Sequence, residues 1–257
     1  MMAKAMLEPQ QASADAKLQA MFHDGRQYEL FQKCMARVRA NEDPAQCEKF
    51  QRHMAEVKGK RTFLSEEMYA QLKALAPIVC VDVLVVLPGP HGEVAGVLVP
   101  RRAERDKAAE GMVWPIGGRT FYQEDLEDTV MYNVFNETGG LQVKMMGNGP
   151  IAVGRSEFDI VEKGRDTVNL TCLAVVSGGE LKPSRYFNEY SFVDRDMFLN
   201  NPRTHYICSY TYELLRVSGV FADKPNPGIP FVRYNERTDE EALHEAERAI
   251  RFARRRD

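Results

Sequence analysis

The residues of this chain whose types and spacing could do chemistry lie together between Gly117 and Leu141, in GGRTFYQEDLEDTVMYNVFNETGGL. Two glycines, an acidic run and two more glycines read as turn, helix, turn. Glycine lets the backbone approach a ligand closely and adopt positive φ, so Gly117 and Gly118 form a candidate phosphate cradle. Asp125 is placed to cap a helix running to about Thr138, with Glu124, Glu127 and Asp128 near its positive end. Leu126, Val130, Val134 and Thr138 recur every four residues and mark a buried stripe. On another face Asn133 and Glu137 stand one turn apart, with Asn136 beside them. Thr138-Gly139-Gly140 then ends the helix. The plain alternative is an ordinary amphipathic helix between two turns.

Around this run stand further polar residues. Arg119, after the glycines and before the helix, can fork onto diphosphate oxygens, or pair with Glu124 or Asp125. Arg101 and Arg102, ending an apolar run, could clamp a second phosphate. Asp82 interrupts an apolar strand, where an unpaired carboxylate would be costly, so it must have a partner. Tyr190 could stack on a base or sugar, or fill the core.

Residue by residue, Gly117–Leu141 resembles the Nudix box: Gly, five residues, Glu, seven residues, then Arg-Glu-hydrophobic-x-Glu-Glu-x-Gly-hydrophobic. Gly118, Glu124, Val134, Glu137 and Gly139 fall in register without a gap. Tyr132 stands at the box arginine, Asn133 and Asn136 at box glutamates, and Gly140 at the last apolar position. The resemblance implies an α/β/α sandwich of α+β class, built on a mixed β-sheet. It also implies glutamates that carry divalent metal bridging a substrate diphosphate. One carboxylate of the three on that face is kept.

A narrower resemblance is to GDP-mannose mannosyl hydrolases, carried by Phe63-Leu64-Ser65, by Ala76 to Asp82, and by Trp114 before Gly117-Gly118-Arg119. That group also keeps the glutamate matching Glu137 and works with a single metal ion. Tyr132 departs from it, and Pro115-Ile116 inverts its usual order. The resemblance implies one Mg²⁺ or Mn²⁺ held by Glu137, by a backbone carbonyl near Gly117, with Asn133 beside it. Hard ions that find few protein carboxylates lean on substrate phosphates. Glu124 and His205 are the candidate catalytic groups; the resembled hydrolases draw a histidine base from a late loop. Glu157, Asp159 and Glu162 are alternative bases.

The elements that must position these groups are legible on either side. Residues 78–86 and 94–99 are apolar, β-branched runs joined by Pro88, Gly89, Pro90 and Gly92, which read as a hairpin. Residues 151–161 and 167–176 read as strands, and 189–198 as a strand and short helix. Residues 1–60 form a helical arm, with helices over 14–40 and 44–58 broken at Asn41–Pro44. The Nudix-like part spans 61–224. A Pro-rich loop and a C-terminal helix from Thr238, opened by a capping box with Glu241, complete the chain over 225–257. Two helices cannot form a core alone, so the arm must pack on the sheet or on a second copy; a homodimer through these helices is expected.

The chain has 257 residues and a net charge of −3, which argues against nucleic acid as the main partner. No run approaches the about 20 apolar residues of a membrane span. The N-terminal residues lack a signal-peptide core, so a cytoplasmic protein with free thiols at its five cysteines is expected. Two function classes follow. One is a Mg²⁺-dependent hydrolase of a nucleoside diphosphate linked to another group, such as a sugar. The other is a catalytically silent Nudix domain that binds a nucleotide or a protein. The hydrolase requires Asp82, Arg119 and Glu137 to converge on one cleft.

Overall fold

In the computed structural model the described residues are 15–22, 25–102, 113–121, 123–158, 165–182, 184, 186–200, 209–222 and 228–235. The chain runs α1 (Gly25–Ala40), α2 (Pro44–Lys60), α3 (Glu66–Leu75), β1 (Ile78–Pro88), β2 (Val94–Arg102) and β3 (Ile116–Arg119). It continues α4 (Leu126–Glu137), β4 (Leu141–Met146), β5 (Ala152–Phe158), β6 (Arg165–Gly179), β7 (Phe187–Val193), α5 (Arg195–Asn200), α6 (Ser209–Ser218) and β8 (Phe231–Asn235).

β1 and β6 are the spine of one mixed sheet. They pair in parallel from Ile78 opposite Thr167 to Val86 opposite Val175. The other edge of β1 is shared, β3 taking Cys80 to Val83 and β2 taking Val85 to Pro88, both antiparallel. The outer edge of β6 is shared in the same way by β5 and β4, so the order is β7-β2-β1-β6-β5-β8 with β3 and β4 off that path. β3 begins at Ile116, opposite Val83, beside the point where β2 leaves off at Val85.

Alternation along β1 sorts the two cores. Val81, Val83, Val85 and Leu87 face the layer that holds α1 and α4, with Phe31, Met35, Val130 and Val134. Leu84 and Val86 face the opposite layer, with Trp114, Tyr210 and Leu214. Burying each such side chain contributes roughly 1.5–3 kcal/mol. The result is the α/β/α sandwich expected from the sequence.

The arm packs on this sheet within one chain. α1 lies against β6, β7 and β1, and α2 against α4, where Met54 and Val57 meet Tyr132. The turn between them is tied to the end of β6, because Glu42 Oε1 accepts from Gly179 N at 2.8 Å and from Cys47 Sγ at 2.9 Å. The expected helix over 14–40 is two pieces. Helix over 15–20 stops at Met21, whose carbonyl accepts from Tyr190 N at 2.6 Å, and Phe22 bridges Tyr190. The chain's edge pairing with β7 overrides helix there. Cys34 is in the core and Cys47 bonds Glu42, and the four described cysteines are free thiols. The C-terminal helix expected from Thr238 and the loop at Pro225 and Pro227 lie outside the described residues.

Candidate functional site

The helix expected between Asp125 and Thr138 is α4, and it ends at Thr138-Gly139-Gly140 as expected, but its N-terminus is finished differently. Asp125 is the N-cap residue with extended φ and ψ, yet its side chain makes no capping bond. At the other end Thr138 does the work. Its hydroxyl donates to Val134 O at 2.6 Å and accepts from Leu141 N at 3.1 Å. Gly139 and Gly140 follow at φ 71° and 145°, a backbone other residues rarely adopt.

Gly117 and Gly118 are not a turn. They are the centre of β3 and lie outside the positive-φ glycines. What they supply is close approach. A Cβ on Gly117 would stand 2.5 Å from Val81 O and 2.7 Å from Asp82 Oδ1. A Cβ on Gly118 would stand 3.4 Å from the Asn133 amide on α4.

From the α4 side, Glu137 Oε2 accepts from Gly117 N at 3.3 Å. Asn133 is buried over Gly118, and its Nδ2 has no hydrogen-bond partner. Box positions 133 and 137 thus converge on the 117–118 backbone, around an amide that lacks a partner. Asn136 turns away, and its Nδ2 donates to Tyr186 Oη at 3.3 Å.

Asp82 and Arg119 belong to the other layer. In the β1–β3 register Asp82 is opposite Gly117 and Arg119 opposite Cys80, so both share the face of Leu84 and Val86. Asp82 is 4% exposed. Its Oδ2 accepts from Tyr210 Oη at 2.7 Å, and that hydroxyl accepts from Asn169 Nδ2 at 2.9 Å. Tyr210 stacks on Trp114 with ring centroids 4.8 Å apart. The partner expected for Asp82 is therefore a buried tyrosine–asparagine network. Arg119 lies over the Tyr69 ring of α3, at 4.2 Å from its centroid. Asp82, Arg119 and Glu137 do not converge.

Glu124 is a correction to its expected catalytic role. Arg61, just past α2, donates to its Oε1 from Nε at 2.9 Å and from Nη2 at 2.7 Å. Its Oε2 accepts from Phe121 N at 3.2 Å. The two side chains expose only 5% and 7% of their surface, so the carboxylate is committed to structure. The guanidinium also lies 3.7 Å over the Tyr132 ring and 4.5 Å over Phe121.

Tyr190 is also core rather than a stacking platform. It is wholly buried beside Phe22 and Phe187, and its hydroxyl has no hydrogen-bond partner. Burial pushes its phenol well above the ordinary range and the Glu137 charge adds to this, while the nearby Ser184 hydroxyl opposes it. Arg101 pairs across the sheet with Glu189, Nε to Oε2 at 2.7 Å. Arg102 ends β2 opposite Phe187. His205, Asp159 and Glu162 lie outside the described residues, and Glu157 is placed in β5 by its backbone.

Sequence reasoning missed Arg61, Tyr69, Asn169 and Tyr210. Each is a single residue from a distant element, with no local spacing to mark it.

The donor set decides what ion would fit. Asn133 and Glu137 present one charge at Gly117–Gly118, and among the described residues no three His, Cys, Asp or Glu side chains form a metal-holding group. That excludes a multi-ion cage built from these residues. It does fit one hard cation arriving with a ligand's phosphates. The unpartnered Asn133 amide agrees, because its O and N assignments are interchangeable and its oxygen could face such an ion.

No protein family and no curated protein matches the sequence. Solved structures do resemble the fold. They include a possible asymmetric diadenosine tetraphosphate hydrolase from Jonesia denitrificans, at TM-score 0.47 and 18% identity, covering 58% of this chain and 99% of that one. The MutT protein from Methanosarcina mazei Go1 matches at TM-score 0.44 and 21% identity, over 58% and 99%. A UDP-X diphosphatase matches at 0.42 and 15%, over 80% and 98%. At identities of 15–21% the likeness is one of fold alone. Among the described residues no helix is long and apolar enough to cross a membrane.

Proposed function

We propose that the chain is a Nudix-like module that binds a nucleoside-diphosphate ligand without hydrolysing it. The observation that carries this is the parting of Asp82, Arg119 and Glu137 onto two faces of the sheet. A hydrolase needs charge-bearing groups aimed together at the bond that breaks. Here Asp82 is spent on Tyr210, Glu124 on Arg61, and Arg119 lies over Tyr69.

Binding is supported by the smaller patch that does converge. The edge of β3 offers backbone groups at Gly117 and Gly118, Asn133 supplies an unpartnered amide, and Glu137 supplies one carboxylate. One Mg²⁺ or Mn²⁺ held by Glu137, Asn133 and the Gly117 carbonyl would neutralise diphosphate charge. The chain's own part is to orient the ligand against β3.

A second reading is a single-ion hydrolase of a nucleotide sugar, with a base outside the described residues. Convergence of Glu137 and Asn133 on Gly117–Gly118 favours it, since Glu137 matches the glutamate that the resembled hydrolases keep. Cytoplasmic residence and homodimerisation belong to either reading; sedimentation checks the dimer.

Calorimetry with GDP-mannose and ADP-ribose in Mg²⁺ tests the proposal. Saturable binding weakened at least tenfold in Glu137→Gln, at unchanged melting temperature, is expected. Absence of binding to either ligand contradicts it.

A further inference from the structure

We infer that Arg61 is a positioning residue of the candidate site: it brings to Glu124 the guanidinium that position 132 lacks, and so fixes the loop from β3 to α4. The helical arm is thereby part of the site. This deepens the binding reading, since the loop it fixes follows directly on β3, the strand that carries Gly117 and Gly118.

Four observations carry it. Arg61 leaves α2 in extended conformation, with φ −71° and ψ 120°, which turns its side chain from the arm into the domain. Two guanidinium nitrogens bond one Glu124 oxygen, and the other oxygen holds Phe121 N. The guanidinium is sandwiched by contacts to Tyr132 and Phe121, one ring from α4 and one from the loop. Both charged groups are almost fully buried. A single side chain therefore clamps three points, namely the loop at Phe121, its acid at Glu124, and α4 at Tyr132. The last is adjacent to Asn133, so the clamp sets where that amide sits over Gly118.

Arg61 stands outside the motif run itself. The box resemblance puts arginine at 132, on α4 itself. Here a tyrosine stands there, and the charge that lies on its ring comes from a residue 63 positions away from Glu124 in sequence. An arginine at 132 starts from the same place as the Tyr132 ring, so it can deliver a guanidinium to Glu124 without the arm. That makes the inference testable by transplantation.

The experiment is amide hydrogen exchange on the ligand-free full chain, comparing wild type, Arg61→Met, Arg61→Lys and the double variant Arg61→Met/Tyr132→Arg. Because no ligand is used, the result is independent of whether the module binds nucleotide. Arg61→Met is expected to speed exchange at residues 117–124 at least tenfold in exposures short enough that β1 and β6 remain unexchanged, and the double variant to recover most of that loss. Arg61→Lys keeps the charge without the fork and is expected to speed the same amides severalfold, which carries the test if Arg61→Met does not fold. Unchanged exchange at 117–124 in folded Arg61→Met or in Arg61→Lys overturns the inference. So does a double variant no better than Arg61→Met, since a purely local packing role for Arg61 would not be restored from position 132. Calorimetry on the same variants should show ligand affinity following the loop's exchange.

Discussion

Glu124 and Glu137 stand at opposite ends of α4, both in register with one motif, and they live in different worlds. Glu124 is buried, bonded twice by Arg61 and once by Phe121 N. Glu137 is partly exposed and reaches Gly117 N at a long 3.3 Å, beside a buried amide that has no partner. The Glu124 end is fully satisfied, by Arg61 and by Phe121 N. The end that would meet a ligand is thinned to one charge. Structure can be kept by importing a group from anywhere in the fold. A multi-ion site cannot, because its acids must share one small volume.

The largest way to break this contrast is at the satisfied end. Removing one partner of a buried pair leaves an uncompensated charge, so Arg61→Met should lower the unfolding free energy by about 3–5 kcal/mol in urea titration. A loss below about 1 kcal/mol would mean that the pair is not buried in solution. A middle-sized effect is expected in the opposite layer. Tyr210→Phe deprives Asp82 and Asn169 of their shared hydroxyl and should cost about 1–3 kcal/mol. It should leave nucleotide affinity unchanged, because Asp82 faces away from Glu137; a tenfold loss of affinity would place Asp82 in the ligand site after all.

The smallest effect concerns the arm's own tie to the sheet. The Cys47 hydrogen bond, then Gly179 N–H, hold the Glu42 carboxyl below its ordinary range, and Cys47 is pushed up to about 11 by the same bond. A depressed carboxylate stabilises the fold above its unfolded pKa, and that contribution fades as pH falls through the folded value. Wild type and Glu42→Gln should therefore differ most near neutral pH and converge in acid. Cys47 should alkylate slowly at pH 8 and faster in Glu42→Gln; equal rates would mean that the thiol is not held by Glu42.

The layers and most strands were legible because their signals are local. The apolar, β-branched run over 78–86 and turn residues at 88–92 marked the hairpin, and the four-residue apolar stripe from Leu126 marked α4. The strand at Ile116–Arg119 was hidden because its two glycines carry no β signal and read as a turn. The break at Met21 was hidden because a pairing with Tyr190, far along the chain, overrides a run of good helix formers. At the site, the sequence pointed to Glu137, Asn133 and the paired glycines, and the structure places the two side chains beside Gly117 and Gly118. It could not say that Glu124 would be taken by Arg61, or that Asp82 and Arg119 would face the other layer. Those outcomes depend on strand parity and on elements outside the motif.

The central claim, binding without turnover, is tested most directly by hydrolysis. Purified protein would be incubated with Mg²⁺ or Mn²⁺ and a panel of nucleotide sugars and dinucleotides, with Glu137→Gln alongside. No product above the Glu137→Gln background is expected, for ligands that calorimetry shows to bind. Turnover in the wild type that vanishes in Glu137→Gln would contradict it and establish a hydrolase that works with one box carboxylate.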